Sequence, residues 1–266
     1  MTYPTADELT AAGLTLDSDG PVVTVTLDRP ERRNAQTPAT WRALAAIGAA
    51  IGPDVRAVVV RANGPSFCTG LDRAMLTPDG IAGETTLAQI AALSDRDAQA
   101  VIAGYQAGFT WLRDPRFISV AAVQGHAVGA GFQLALGCDL RILAEDAVLC
   151  MREPALGLVP DLAGTHPLVQ SVGYSRALEI CATGRWVAAD DAAAIGLATA
   201  VVPHDELRVA TDDLVAAVLQ APHAAVTATT GLLQQAASRS YEHQCAAERE
   251  AQVLRIRDLV RRQSAG

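Results

Sequence analysis

Short runs of apolar, mostly β-branched residues recur along the chain at residues 22–27, 56–61, 118–123 and 140–144. Each is bounded by Gly, Pro, Asn or Asp and reads as a buried strand, with shorter strands at 147–151 and 199–202. Between them the apolar spacing turns helical. Thr37-Pro38 is a helix start, a capping hydroxyl followed by Pro at the first helical position, and Gly52-Pro53 is its stop. Further helices are predicted at 95–112, near 167–172, at 174–183 and at 189–195. The rest is helical, at about 205–219, 224–237 and 241–262. Residues 1–20 read as a loose arm, and 73–93, where the pattern weakens, as the mobile segment. Strand–strand–helix units therefore give way to a helical C-terminal third. The alternation is too irregular for a doubly wound sheet, and there is no internal repeat or linker-like boundary.

The densest signal lies at 118–140, ISVAAVQGHAVGAGFQLALGCDL. An apolar strand is followed by a turn with Gly125, Gly129 and Gly131, then by an apolar helix from about Ala130 to Gly137. Glycine lets the backbone turn sharply and lets a ligand approach the main chain. The helix start presents unpaired N–H groups with the positive end of the dipole behind them. That arrangement suits an oxygen on which negative charge develops. A dinucleotide fingerprint does not fit, because Leu134 stands at the third glycine position, and no Lys follows to make a triphosphate loop.

Composition narrows the function. Half of the residues are hydrophobic but only 4% aromatic, so the core is built of Ala, Val, Leu and Ile. A net charge of −8 argues against nucleic acid as a partner. All 21 basic residues are Arg, which excludes lysine Schiff-base chemistry. The five cysteines (Cys68, Cys138, Cys150, Cys181, Cys245) are scattered, as expected for reduced thiols in a cytoplasmic protein without a disulfide framework or metal site. No signal peptide is apparent, and no apolar run reaches the ~18 residues of a membrane helix, so no membrane is expected as a partner.

Several motifs, in order, carry a resemblance. They are Leu27-Asp28-Arg29-Pro30 with Arg33-Asn34-Ala35, then Phe67-Cys68-Thr69-Gly70-Leu71-Asp72, then Val123 to Gly131, Cys138-Asp139-Leu140-Arg141, Leu156-Gly157-Leu158-Val159-Pro160 and Gly196-Leu197-Ala198. Together the chain resembles the crotonase superfamily of enoyl-CoA hydratases and isomerases over about residues 14–205. The resemblance implies an α/β fold, a spiral of ββα units over residues 1–200. Residues 201–266 would form a helical region that supports a homotrimer or a hexamer. It implies an acyl-CoA thioester as substrate, with coenzyme A part of the substrate and no separate cofactor. The thioester oxygen would sit between the backbone N–H groups of Leu71 and Ala130. Arg33, Ala35 and the stretch Leu71, Asp72, Arg73 and Ala74 match where the family grips coenzyme A, with Arg29 and Arg32 as further phosphate candidates.

Family hydratases carry two Glu residues about twenty apart. The first position here is Gln133, which cannot take a proton but can hydrogen-bond water or substrate. The second is Glu153, and Asp161 follows eight positions later, as in dienoyl-CoA isomerases. Asp161 has two readings, a second acid or the N-cap of the next helix, and the residues leave both open. Arg152 could pair with either acid and lower its pKa. His126 and His166 lie near the same loops and read as structural. One acid suffices for a 1,3-shift of a double bond, so Glu153, alone or with Asp161, points to an enoyl-CoA or dienoyl-CoA isomerase. The alternatives are a hydratase in which Asp161 or Gln133 positions water, a non-catalytic acyl-CoA binder, and hydrolysis through Asp161 as nucleophile.

Overall fold

The computed structural model describes residues 2–264. After α1 (Ala6–Ala11), an antiparallel pair, β1 (Leu14–Asp19) and β2 (Val22–Leu27), opens the larger of two sheets. From there each turn of chain takes one course: a strand in that sheet, an extended stretch in a second layer, then a helix. The first passes from β2 through Gln36, which bridges to Leu71, into α2 (Pro38–Ala50). The second takes β3 (Ala57–Ala62), Cys68 bridged to Ala127, then α3 (Leu87–Ala91) and α4 (Asp95–Thr110). The third takes β4 (Ile118–Val123), β5 (His126–Val128) and α5 (Ala130–Gly137). The fourth takes β6 (Leu140–Ala144), β7 (Val148–Cys150), α6 (Thr165–Val172) and α7 (Tyr174–Thr183). Then β8 (Val187–Ala188) and, after α8 (Ala189–Ala194), β9 (Ala200–Val202) close the sheets in the orders β5-β7-β8 and β1-β2-β3-β4-β6-β9. The helices α9 (Leu207–Gln220), α10 (His223–Ala236) and α11 (Tyr241–Ser264) complete the chain. This is the ββα spiral with a helical C-terminal region.

The central strands are apolar throughout because both faces are covered. Val58, Val60, Ala121, Val123 and Leu143 enter the main core with α2, α4 and α5. Their neighbours Ala57, Val59, Val120, Ala122, Ile142 and Ala144 face the other way, onto Leu207 and Val215 of α9. Parallel pairing of β2, β3, β4, β6 and β9 puts the C-terminal ends of these strands on one side. The second layer lies there, and with it the helix start at Ala130.

Several expectations are corrected. Residues 1–20 are no loose arm. Thr5 and Glu8 form a reciprocal capping box on α1, and β1 pairs along its length with β2. The glycine-rich turn after β4 contains the strand β5, which pairs in parallel with β7. Asp161 is not a helix cap: α6 follows Gly164 and has no side-chain cap. The weakly patterned segment 73–93 carries a 3-10 turn at Arg73–Leu76 and the capped helix α3. In the C-terminal region, α9 packs on the large sheet, whereas α11 has no buried residue along its described length.

Candidate active site

Two segments from successive turns of the spiral meet at Gly70 and Ala130. Gln36 N–H donates to Gly70 O (2.7 Å) and Asp72 N–H to Gln36 O (2.8 Å), so the bridge holds both neighbours of Leu71. A parallel bridge of this kind turns the intervening N–H away from its partner strand. Leu71 N–H accordingly finds no acceptor among the described residues, and neither does Ala130 N–H in the first turn of α5. Gly70 makes the approach possible. With φ +91°, it lies where a Cβ would stand 2.7 Å from Val128 O and 3.7 Å from Ala130 N. Its own N–H donates to Cys68 Sγ (3.3 Å). Burial pushes the Cys68 thiol up to about 12, so it serves as an acceptor and not as a nucleophile.

The acids gather beside these donors. Glu153 opens a 3-10 turn just after β7, and its carboxylate lies against the N-cap of α5. A Cβ on Gly129, whose φ is +51°, would stand 3.0 Å from Glu153 Oε1. Gln133, fully buried on α5, donates from Nε2 to Glu153 Oε1 (2.7 Å). Its Oε1 accepts the N–H groups of Leu162 (2.9 Å) and Gly164 (3.3 Å). Glu153 Oε2 is buried with no partner among the described residues. Burial raises the Glu153 pKa, hydrogen bonds from the backbone and from Gln133 draw it back, and the charge of Asp161 adds to the rise. Asp161, half-buried, is also raised, by burial. Its carbonyl accepts Gln106 Nε2 of α4 (2.7 Å), which ties the loop to that helix.

Glu153, Asp161 and Gln133 are thus brought together, but Gln133 is not placed as a water-activating group because its oxygen is used by the 162–164 turn. Arg152 pairs with neither acid and reaches toward Gly184 O instead. His126 lies edge-on to Trp186 with its Nδ1 3.3 Å from Ser66 Oγ, and His166 is exposed.

On the rim, Arg29 and Arg32 both reach Asp72 (3.4 Å each), and Asp72 Oδ1 accepts Ala74 N–H. Asp72 is therefore an internal anchor of the Leu71–Ala74 corner and not a ligand-facing carboxylate, and two of the four candidate arginines are engaged with it. Ala35 O accepts Arg29 Nη1 (3.0 Å) at the same corner. Arg33 and Arg73 are exposed and have no acidic partner among the described residues. Asn34 is the residue whose part sequence reasoning missed. Buried at φ +55°, it accepts Arg29 N–H (2.8 Å) and donates to Asn63 O (2.8 Å) and Ser66 O (2.9 Å). It ties the first turn to the loop that carries Leu71. An Asn in a polar turn was the available signal, since its short amide tolerates positive φ and bonds nearby backbone. Among the described residues no cluster of His, Cys, Asp or Glu could hold a metal, and no helix is long and apolar enough to cross a membrane.

A ββα spiral with two convergent main-chain donors beside a buried carboxylate defines a protein of the crotonase superfamily. The sequence profile of the enoyl-CoA hydratase/isomerase family matches residues 17–264. The chain belongs to that family. Solved structures of a Thermobifida fusca YX protein assigned as an enoyl-CoA hydratase are 50% identical to it. The complex with CoA covers 98% of this chain and 99% of that one (TM-score 0.92), and the complex with acetoacetyl-CoA covers 97% and 100% (TM-score 0.93). Bacillus subtilis YngF, assigned as an enoyl-CoA hydratase/isomerase, is 35% identical over 73% of this chain and 70% of its own length. The (E)-benzylidenesuccinyl-CoA hydratase of Thauera aromatica is 32% identical over 71% and 69%.

Proposed function

We propose that the chain acts on acyl-CoA thioesters and moves the double bond of an enoyl-CoA, with Glu153 carrying the proton. The observation that supports this reading is the pairing of one unpartnered carboxylate oxygen, Glu153 Oε2, with two unpartnered main-chain donors across Gly129. Leu71 N–H and Ala130 N–H would receive the thioester oxygen. Glu153 takes a proton from C2 of a 3-enoyl-CoA, the electron pair spreads onto the thioester oxygen as a dienolate, and the same carboxyl returns the proton at C4. The two donors act where the charge develops, which is where preorganised dipoles lower a barrier most. Gln133 cannot supply the second acid that water addition uses, and this ranks isomerisation first. Coenzyme A enters as part of the substrate, with Arg33 and Arg73 as the available phosphate contacts.

The second reading is hydration of a 2-enoyl-CoA with Asp161 as the second acid. The raised pKa of Asp161 beside Glu153 favours it, as do the hydratase names of the relatives. Following 3-hexenoyl-CoA and 2-hexenoyl-CoA in parallel by absorbance separates the two. The isomerase reading expects conversion of the 3-enoyl thioester to outrun water addition to the 2-enoyl thioester. The reverse order overturns it, and tight binding without turnover of either leaves the acyl-CoA binder.

A further inference from the structure

The environment of Glu153 is asymmetric, and Gln133 makes it so. The amide is fully buried and both its ends are engaged: Nε2 on Glu153 Oε1, and Oε1 on two N–H groups of one turn, those of Leu162 and Gly164. The turn it grips is unusual. Ala163 sits at φ +64°, a conformation that costs an alanine free energy and persists only where surroundings enforce it. Gly164 is packed so closely that a Cβ there would stand 2.6 Å from Gln133 Cγ. One side chain thus joins the helix that carries the Ala130 donor, the carboxylate, and the loop that carries Asp161.

The geometry points to Gln133 as a positioning residue that gives the two oxygens of Glu153 different work: it immobilises Oε1 and leaves Oε2 as the single basic oxygen facing the substrate. A carboxylate free to rotate would present either oxygen at a range of angles, and proton transfer needs one fixed line between oxygen and carbon. Glutamine does both tasks with no proton of its own to lose. A glutamate at 133 could accept from Leu162 and Gly164, but its second oxygen would meet Glu153 Oε1 at the present 2.7 Å, where both cannot be ionised. An apolar residue would release both the carboxylate and the turn.

The inference rests on Glu153 as the proton carrier, and its test is a pH profile. The titratable groups facing Glu153 are Asp161 from the following loop, Cys150 on β7 and Cys181 on α7. Burial raises both thiols, which keeps them neutral through the working range, and Arg152 beside Glu153 points to Gly184 O. Burial sets the main rise of the Glu153 pKa, and Gln133 and Asp161 are the side chains that adjust it, the first lowering and the second raising it. In Gln133→Met the carboxylate loses a donor that favours its charged form. The acid limb of kcat for 3-hexenoyl-CoA should move up by about half a unit, roughly threefold in proton affinity, and kcat should fall about tenfold with KM within about twofold. In Gln133→Glu the limb should move up by more than about one unit, because the pair retains a shared proton. Carbon-13 NMR of labelled glutamate, with the Glu153 signal assigned by its loss in Glu153→Gln, reads the same titration without turnover.

A merely structural glutamine predicts something else: lower thermal stability, with the limb, the NMR titration and kcat per folded molecule all at the parent's values. That result overturns the inference. If Gln133→Met does not fold, Gln133→Glu keeps the volume and the accepting oxygen and decides by its plateau kcat above the moved limb: a fall with KM held supports the inference and the parent's value overturns it, because a neighbouring carboxyl moves the limb in either case. If Glu153→Gln stays active, the proton-carrier reading itself falls. If Glu153→Gln is inactive while the Gln133 variants titrate like the parent, only the present inference does.

Discussion

Replacing Glu153 by glutamine is the sharpest perturbation this site permits, because the surroundings accept the amide almost unchanged. Gln133 Nε2 donates to Oε1, so the new amide oxygen can take that place and keep the 2.7 Å bond. Its NH2 then occupies the position of Oε2, which is buried without a partner, so its N–H groups go unpaired there at a cost of about 1–3 kcal/mol. The charge-assisted bond becomes a neutral one, a loss of about 1 kcal/mol, and the cost of burying a carboxylate disappears in return. The fold and thioester affinity should therefore persist while the group can no longer carry a proton. General acid–base transfer contributes ~10²–10⁴ in rate, so kcat should fall by that factor, about 2.7–5.5 kcal/mol of transition-state stabilisation. The assay is the 3-hexenoyl-CoA to 2-hexenoyl-CoA conversion at saturating substrate, with binding of the thioester measured separately. A variant that retains kcat within about threefold of the parent would refute the assignment, since no misfolding could hide behind normal turnover.

The same substitution has a signature in stability. The Glu153 pKa lies above its ordinary 4.5, so the folded chain holds this proton more tightly than the unfolded chain does. Such a group lowers stability as pH rises from the ordinary value through the folded one, and costs nothing below both. The stability of Glu153→Gln relative to the parent should therefore be higher at neutral pH than near pH 4. Thermal unfolding at the two pH values, made in an Asp161→Asn background because the two charges interact, checks the sign.

Gly70→Ala places a Cβ 2.7 Å from Val128 O at φ +91°, so the Leu71 donor must shift; kcat should drop ~10²–10³-fold with little change in the Kd for free CoA, measured by calorimetry. Replacing both Arg33 and Arg73 by Ala removes the exposed cations near the rim; at ~0.5 kcal/mol per exposed contact KM should rise about fivefold, kcat should hold, and added salt should shrink the difference. Along α11, Val253, Leu254, Ile256, Leu259 and Val260 are exposed on a helix with no buried residue, an apolar face that a partner subunit of a trimer or hexamer would cover. Light scattering should therefore give a mass well above 27.7 kDa for the parent and a smaller one for Leu254→Asp with Leu259→Asp; a monomeric parent at micromolar concentration would count against assembly.

What was legible in the sequence divides along a physical line. The strands buried on both faces announce themselves as unbroken apolar runs, since nothing polar could be tolerated at 57–60 or 120–123. The backbone around the proposed donors was legible in part: the glycine turn before α5 marked the helix start at Ala130, Leu71 came from the family resemblance, and Gly70 and Gly129 at positive φ bend the two segments there. The first twenty residues were misread for the opposite reason. Leu14–Asp19 ends in Asp-Ser-Asp, poor strand formers that an edge strand tolerates, and its partner β2 decides its conformation. Thr5-Ala6-Asp7-Glu8 did carry the capping-box spacing, so α1 could have been found.

The carboxylate side of the site is harder to read, because every fact that matters there is a return of the chain on itself. Asp161 looked like a helix cap only on the assumption that the helix starts beside it. In fact Leu162 to Gly164 intervene, bent through a left-handed Ala163 so that two of their N–H groups can reach Gln133. Nothing local in Asp-Leu-Ala-Gly requires that bend, because alanine does not favour it and only the buried amide on α5 compensates. The same reasoning changes the meaning of Gln133. From sequence it is a hydratase glutamate that has lost its acidity. With its oxygen given to the 162–164 turn and its nitrogen to Glu153, the amide has gained a task for which a carboxylate is unsuited. A chain that had merely lost hydration could hold many residues at 133, whereas this environment admits a side chain that donates at one end and accepts twice at the other, which glutamine does at every pH and a glutamate of the same length only while protonated.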